Sequence, residues 1–194
     1  MIELVCASAN PDKVAEMAEV LAGHAVLLPR PEGMGDVAED ADDLTGNARL
    51  KAQAVCRFAG APALADDTGL EVDALGGAPG VRSARYAGPD AGYADNLARL
   101  MADIRAVPPP RRTARFRTVA MVCFPDGTEF AAEGVVEGVI TVEPRGSGGF
   151  GYDPVFAPVD GEGRTFAEMG AAAKNAMSHR ARALLALLEI LRDR

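Results

Sequence analysis

Two adjacent carboxylates at the end of an apolar run constrain this chain more than any other feature. Ala61-Pro62-Ala63-Leu64-Ala65 leads directly into Asp66-Asp67-Thr68-Gly69-Leu70. A short apolar run closed by a Gly-containing turn reads as a buried strand that delivers its acids to the edge of a cleft. Side chains alternate across a strand, so both acids serve one site only if the strand ends there. One carboxylate can then bind a metal or take a proton while its neighbour orients it. An isolated Asp-Asp pair also fits a solvated turn, so the weight falls on what the rest of the chain supplies.

The flanking sequence alternates strand and helix signals. Ile2 to Ala7 reads as a buried strand, followed by Ser8-Ala9-Asn10-Pro11-Asp12-Lys13 and a helical spacing of Val14, Met17, Ala18 and Leu21. Asn10 is a good N-cap, Pro11 suits the first helical position, and Asp12 suits the positive helix end. A helix start of this kind is a ready anion site. His24 to Leu28 reads as a second strand, an acidic loop covers Asp36 to Asp43, and a second helix spans about Thr45 to Phe58. Helical periodicity returns from Gly92 to Ile104. Thr113–Phe124 and Glu129–Thr141 read as a long hairpin around Pro125-Asp126-Gly127-Thr128. Leu184, Leu185, Leu188 and Leu191 mark an amphipathic C-terminal helix capped by Ser178. The pattern predicts an α/β fold: a mixed twisted sheet with flanking helices and a hairpin lobe, in a single domain over 1–194 with two lobes around a central groove.

Length and charge exclude several classes. A chain of 194 residues with 48% hydrophobic and 25% charged residues has the length and balance of one globular domain with a sizeable core. No apolar run approaches the roughly 18 residues needed to cross a bilayer. The N-terminus lacks the basic segment of a secretory signal, which predicts no membrane partner. Cys6, Cys56 and Cys123 form no CxxC pair, which suits a reducing cytoplasm. Two histidines leave little scope for a multi-histidine zinc site. A formal net charge of -8 disfavours long nucleic acid, though a small polyanion remains open if lysines and a divalent cation gather in one pocket.

Several segments could supply that pocket. Lys13 sits just inside a helix start, and Lys51 lies four residues after Asn47, hence on the same helix face. Gly146-Ser147-Gly148-Gly149-Phe150-Gly151 is a literal GxGxxG, but Tyr152-Asp153-Pro154 prevents a helix from opening after it, so it fails as a dinucleotide fingerprint. It does hold Phe150 and Tyr152 on glycines as a platform for stacking a base. Taken singly, the lysines, Lys174, the acidic loop around Glu39 and Ser178-His179-Arg180 also fit solvated surface or helix-cap positions.

In order and spacing, seven segments together resemble the inosine triphosphate pyrophosphatase family, the RdgB-like pyrophosphatases of non-standard purine nucleotides. They are Ser8–Lys13, Asn47–Ala52, Ala65–Leu70, Leu75–Gly80, Ser83–Tyr86, Gly148–Pro154 and Ser178–Arg180. The resemblance runs nearly end to end. It implies Mg²⁺-dependent hydrolysis of ITP, dITP and XTP to monophosphate and pyrophosphate, in a homodimer. It also implies that Ser8, Ala9, Asn10, Pro11, Asp12, Lys13, Lys51 and Thr68 hold the triphosphate. Glu39 and Asp67 would hold Mg²⁺, with Asp67 as general base and Asp66 supporting it. Phe150 would stack the base, and Gly151, Tyr152, Asp153, Lys174, His179 and Arg180 would line its pocket. The chain departs from the family pattern at Asp43-Leu44-Thr45-Gly46-Asn47, where Gly46 stands for the usual acid. Rival readings are a Maf-like nucleotide pyrophosphatase and a non-catalytic nucleotide-binding module.

Overall fold

In the computed structural model, which describes residues 1–192, the chain alternates strands and helices as the patterning predicts. The order is β1 (Ile2–Cys6), α1 (Pro11–Leu21), β2 (Ala25–Leu28), α2 (Leu44–Ala59), β3 (Ala63–Val72), β4 (Pro79–Gly80) and α3 (Tyr93–Asp103). It continues with β5 (Thr113–Cys123), β6 (Glu129–Ile140), β7 (Phe156–Pro158), α4 (Ala171–Asn175) and α5 (His179–Arg192). The seven strands form one mixed sheet in the order β2-β1-β3-β5-β6-β7, with β4 paired to β3. β1 pairs in parallel with β2 and with β3, placing Val5 opposite Ala63 and Cys6 opposite Leu64. β7 and β4 pair antiparallel to β6 and β3. The expected hairpin forms at the end of β5, where the Phe124 amide donates to the Thr128 carbonyl. Its strands extend the same sheet.

The chain divides into two compact units. The first comprises Met1–Asp67, Thr118–Gly134 and the chain from His179 onward; the second comprises Thr68–Arg117 and Val135–Ser178. In the first, α1 and α5 bury Met17, Leu21, Leu184 and Leu187 against Leu4, Cys6, Leu64, Ala120 and Val122 of the sheet. In the second, Leu70, Leu100, Ile104, Ile140 and Tyr152 pack with an aromatic cluster. There the Phe116 and Phe156 ring centroids are 4.7 Å apart, and those of Phe156 and Phe166 are 5.2 Å apart.

Two expectations are corrected. The strand does not end at the paired acids: β3 continues for ten residues through Asp66, Asp67 and Gly69 to Val72. Pairing with β4 through Leu70–Gly80 and Glu71–Pro79 holds its far half extended despite the poor strand propensity of Asp and Gly. On α5, Leu185 is 45% exposed, whereas Leu187 is 2% exposed and in the core. The apolar stripe of this helix therefore runs through Leu184, Leu187 and Leu188. Leu187→Ala is expected to cost about 2–5 kcal/mol, and Leu185→Ala less than about 1 kcal/mol, in urea unfolding. Equal losses would contradict this placement of the helix.

Candidate active site

Because β3 runs on, Asp66 and Asp67 project to opposite faces of the sheet. Asp66 shares its face with Leu64 and so meets α1 and α5. Lys13, in the first turn of α1, brings its ammonium to 3.3 Å from Asp66 Oδ2, and Arg180 of α5 donates from Nε at 3.1 Å. Arg180 also donates to Glu16, one turn beyond Lys13. Asp67 meets α2 on the other face. Lys51 Nζ donates to Asp67 Oδ1 at 2.9 Å and Asn47 Nδ2 to Oδ2 at 3.3 Å. The same ammonium donates to Glu39 Oε2 at 3.0 Å, so one cation holds two carboxylates.

Burial acts on the two aspartates alike, but their partners separate them. Asp66 is 2% exposed and Asp67 6% exposed. For Asp66, desolvation pushes the carboxyl upward, but Lys13, Arg180 and Lys51 together outweigh it and hold the group well below the usual carboxylate range. For Asp67, desolvation prevails over the attraction of Lys51 and Lys13, and the carboxyl is raised. Lys13 is lowered by its own burial, against the pull of Asp66. Adjacent acids are thus divided into a permanently ionised anchor and a more basic partner, a common way to split the roles of two carboxylates.

Loop geometry explains how Glu39 reaches this group. Asp43 caps α2 by accepting from the Gly46 amide at 2.6 Å, and the Ala41 amide donates to Asn47 Oδ1 at 3.0 Å. A Cβ at Gly46 would lie 2.5 Å from the Ala41 methyl. The absence of a side chain at Gly46 is what lets the acidic loop rest on the first turn of α2. Among the described residues, no three His, Cys, Asp or Glu side chains gather as a metal cluster. Glu39 and Asp67, sharing the Lys51 ammonium, are nonetheless a fitting donor set for a hard divalent cation, which needs only one or two protein carboxylates beside water and phosphate.

At the start of α1, the cap predicted from sequence forms. Asn10 Oδ1 accepts from the amides of Asp12 at 2.9 Å and Lys13 at 3.2 Å, and the Asn10 amide donates to Ser8 Oγ at 3.2 Å. Two of the helix amides are therefore already engaged by the cap. Ala9 and Pro11 are exposed, while Thr68 is half-buried one residue beyond Asp67.

The second unit carries a separate aromatic and charged cluster. Asp153 is buried; its Oδ2 accepts from the Phe150 amide at 2.9 Å and from Lys174 Nζ at 2.5 Å. The ammonium lies over the Phe150 ring at 4.9 Å and the Phe166 ring at 5.6 Å from their centroids. Gly149, at φ 65°, turns the chain over Asp153, where any Cβ would overlap the carboxylate. Gly151 follows at φ 61°. Tyr152 departs from its expected place in the platform: its ring is in the core and its hydroxyl donates to the Ser83 carbonyl at 2.9 Å. Of the two, Phe150 stays half-buried outside the core.

His179 and Arg180 are both held by side chains of the first unit. His179 Nδ1 is hydrogen-bonded to Thr118 Oγ1 at 2.6 Å, and the Arg180 guanidinium is bound by Asp66 and Glu16. Sequence reasoning missed Glu16 and Thr118. The i, i+3 spacing of Lys13 and Glu16 could have revealed the first, since it places both on one helix face. No local signal marks Thr118.

The fold is that of the Ham1 proteins. The chain superposes on a Ham1 protein of Coxiella burnetii with a TM-score of 0.88 at 39% identity, covering 100% of both chains. It superposes on the Staphylococcus aureus Ham1 protein with a TM-score of 0.85 at 33% identity, covering 98% of both chains. Residues 4–190 match the Ham1 family model, and the chain belongs to that family. It is 45% identical over 194 residues to a dITP/XTP pyrophosphatase of Geobacter sulfurreducens, covering 98% of this chain and 97% of that protein. A dITP/XTP pyrophosphatase of Desulforamulus reducens is 47% identical over 193 residues, covering 98% and 96%.

Removing the buried charge of Asp66 tests its role as anchor. Asp66→Asn is expected to cost about 3–5 kcal/mol at neutral pH, because Lys13 and Arg180 lose their shared counter-charge. A carboxyl held below its unfolded value of about 3.9 stabilises the fold above that pH and loses this effect as pH falls toward the folded value. The gap between variant and parent should therefore narrow below about pH 4 in urea titrations. A gap independent of pH would contradict the ion-pair assignment.

Proposed function

We infer that this chain is a nucleoside-triphosphate pyrophosphatase that hydrolyses dITP, ITP and XTP to the monophosphate and pyrophosphate. End-to-end identity of 45% to a dITP/XTP pyrophosphatase carries this conclusion. The same match sets aside the Maf-like and non-catalytic readings. A role in clearing non-standard purines from the nucleotide pool follows from that substrate class.

The site residues are assigned by their chemistry. A triphosphate is strongly anionic, and on an acidic chain Lys13 and Lys51 are suited to hold it, with Ser8 to Asp12 and Thr68 lining its path. Glu39 and Asp67 would hold Mg²⁺, which supplies charge neutralisation on the phosphates. Asp67, its carboxyl raised by burial, is the acceptor for the proton of the attacking water. Asp66, fixed as an anion by Lys13 and Arg180, sets the position of Lys13. Bonding of the water oxygen to the α-phosphorus breaks its bond to the oxygen that bridges the α- and β-phosphates, and that oxygen leaves with pyrophosphate. Phosphoryl transfer of this kind relies on positioning and charge stabilisation, which these groups can supply.

Base recognition is assigned to the second cluster. Phe150 offers the stacking surface, and Lys174, a donor-only group while charged, suits the keto oxygen of hypoxanthine or xanthine and disfavours the adenine amino group. Asp153 and Gly151 fix that loop. Arg180 and His179 act through Asp66, Glu16 and Thr118. A homodimer and a cytoplasmic setting complete the reading; the three free, buried cysteines are compatible with a reducing compartment. No helix among the described residues is long and apolar enough to cross a membrane.

Asp67→Asn preserves side-chain shape while removing the base. It should lower kcat for dITP by about 10²–10⁴-fold with the fold retained by circular dichroism. Near-parental turnover would leave Asp67 a purely structural role. EDTA should abolish pyrophosphate release and Mg²⁺ should restore it; release persisting in EDTA would remove the proposed metal role of Glu39 and Asp67.

A further inference from the structure

Tyr93 opens α3 and is 44% exposed, yet its ring stands against Phe150 with centroids 5.6 Å apart and planes inclined at 36°. Neither ring belongs to the hydrophobic core of the second unit, so this contact does not fill the interior. The backbone beneath Tyr93 is fixed: Gly92 caps the helix and its amide donates to Asp95 Oδ2 at 2.9 Å. Phe150 is fixed in turn through its amide on Asp153 and through Lys174 over its ring. The exposed Tyr93 ring and the half-buried Phe150 ring thus meet outside the core as an apolar corner. Their separation is a normal aromatic contact and leaves no room for a base between them.

We propose that Tyr93 is a positioning and specificity residue of the nucleobase site, holding the Phe150 ring in its stacking orientation and covering one edge of the bound purine. The inference rests on the reading of Phe150 as the stacking residue. Stacking acts equally on bound substrate and transition state, so its loss appears in KM and leaves kcat unchanged. Inorganic tripolyphosphate has no base and should not register Tyr93 at all.

The test compares steady-state hydrolysis of dITP, and competitive inhibition by tripolyphosphate, for the parent, Tyr93→Ala, Tyr93→Phe and Phe150→Ala. Tyr93→Ala is expected to raise KM for dITP by about 5–20-fold with kcat within about twofold, and Tyr93→Phe to restore the parental KM. The tripolyphosphate inhibition constant should stay within about twofold in all four proteins. A parental KM in Tyr93→Ala, beside a raised KM in Phe150→Ala, would overturn the role of Tyr93 alone. An unchanged KM in Phe150→Ala would overturn the stacking reading and this inference with it. Equal weakening of tripolyphosphate and dITP by Tyr93→Ala would mark a general structural defect and overturn the proposal.

Discussion

The placement of two carboxylates on opposite faces of one central strand governs the chemistry of the first unit. Asp66 and Asp67 are both buried on β3, at a cost that only nearby cations can offset. Each face supplies its own: Lys13 and Arg180 from α1 and α5, Lys51 from α2. The helices are therefore tied to the strand by charge as well as by apolar packing. Removing one member would strand a buried ion, which is more damaging than never having built the pair.

The same arrangement differentiates two chemically identical groups. Asp66 has two cations in direct contact and is held ionised; Asp67 shares one ammonium with Glu39, and desolvation dominates its protonation. A residue that must accept a proton gains from being the more basic member, while one that must orient a lysine gains from being permanently charged. Lys51 is raised by Asp67, Asp66 and Glu39 against its own desolvation, which keeps it a cation beside Asp67.

The second unit is organised around a different carboxylate. Asp153 receives both a backbone amide and a buried ammonium, so one carboxylate fixes the Gly148–Asp153 turn and the cation over Phe150. The glycine at 149 is required there by both its backbone conformation and the closeness of the carboxylate. The result is a loop tied down at Asp153 that sets the half-buried Phe150 ring against Tyr93 on the start of α3.

Local chemistry in the sequence determined much of this protein. The Asn10 cap and Pro11 start of α1, the shared face of Asn47 and Lys51 on α2, and the turn between β5 and β6 are all short-range features, and all formed as read. The family motifs contain Lys13, Lys51, Asp66, Asp67, Phe150 and Asp153, whereas Glu16, Glu39, Thr118 and Lys174 of the same clusters lie outside them. Only the tertiary structure decided what each of them touches. Gly69 signalled a turn, yet pairing with β4 carried β3 onward and sent the two acids to opposite faces. Tyr152 read as a surface platform, but a carbonyl of Ser83, 69 residues away, drew its hydroxyl into the core. Gly46 read as a missing ligand, and the loop packed against it shows why a side chain has no space there. Glu16, Thr118 and Tyr93 gained their partners from residues 164, 61 and 57 positions distant. Periodicity and caps are set by neighbours a few residues apart, whereas these pairings arise only when the sheet brings distant segments together.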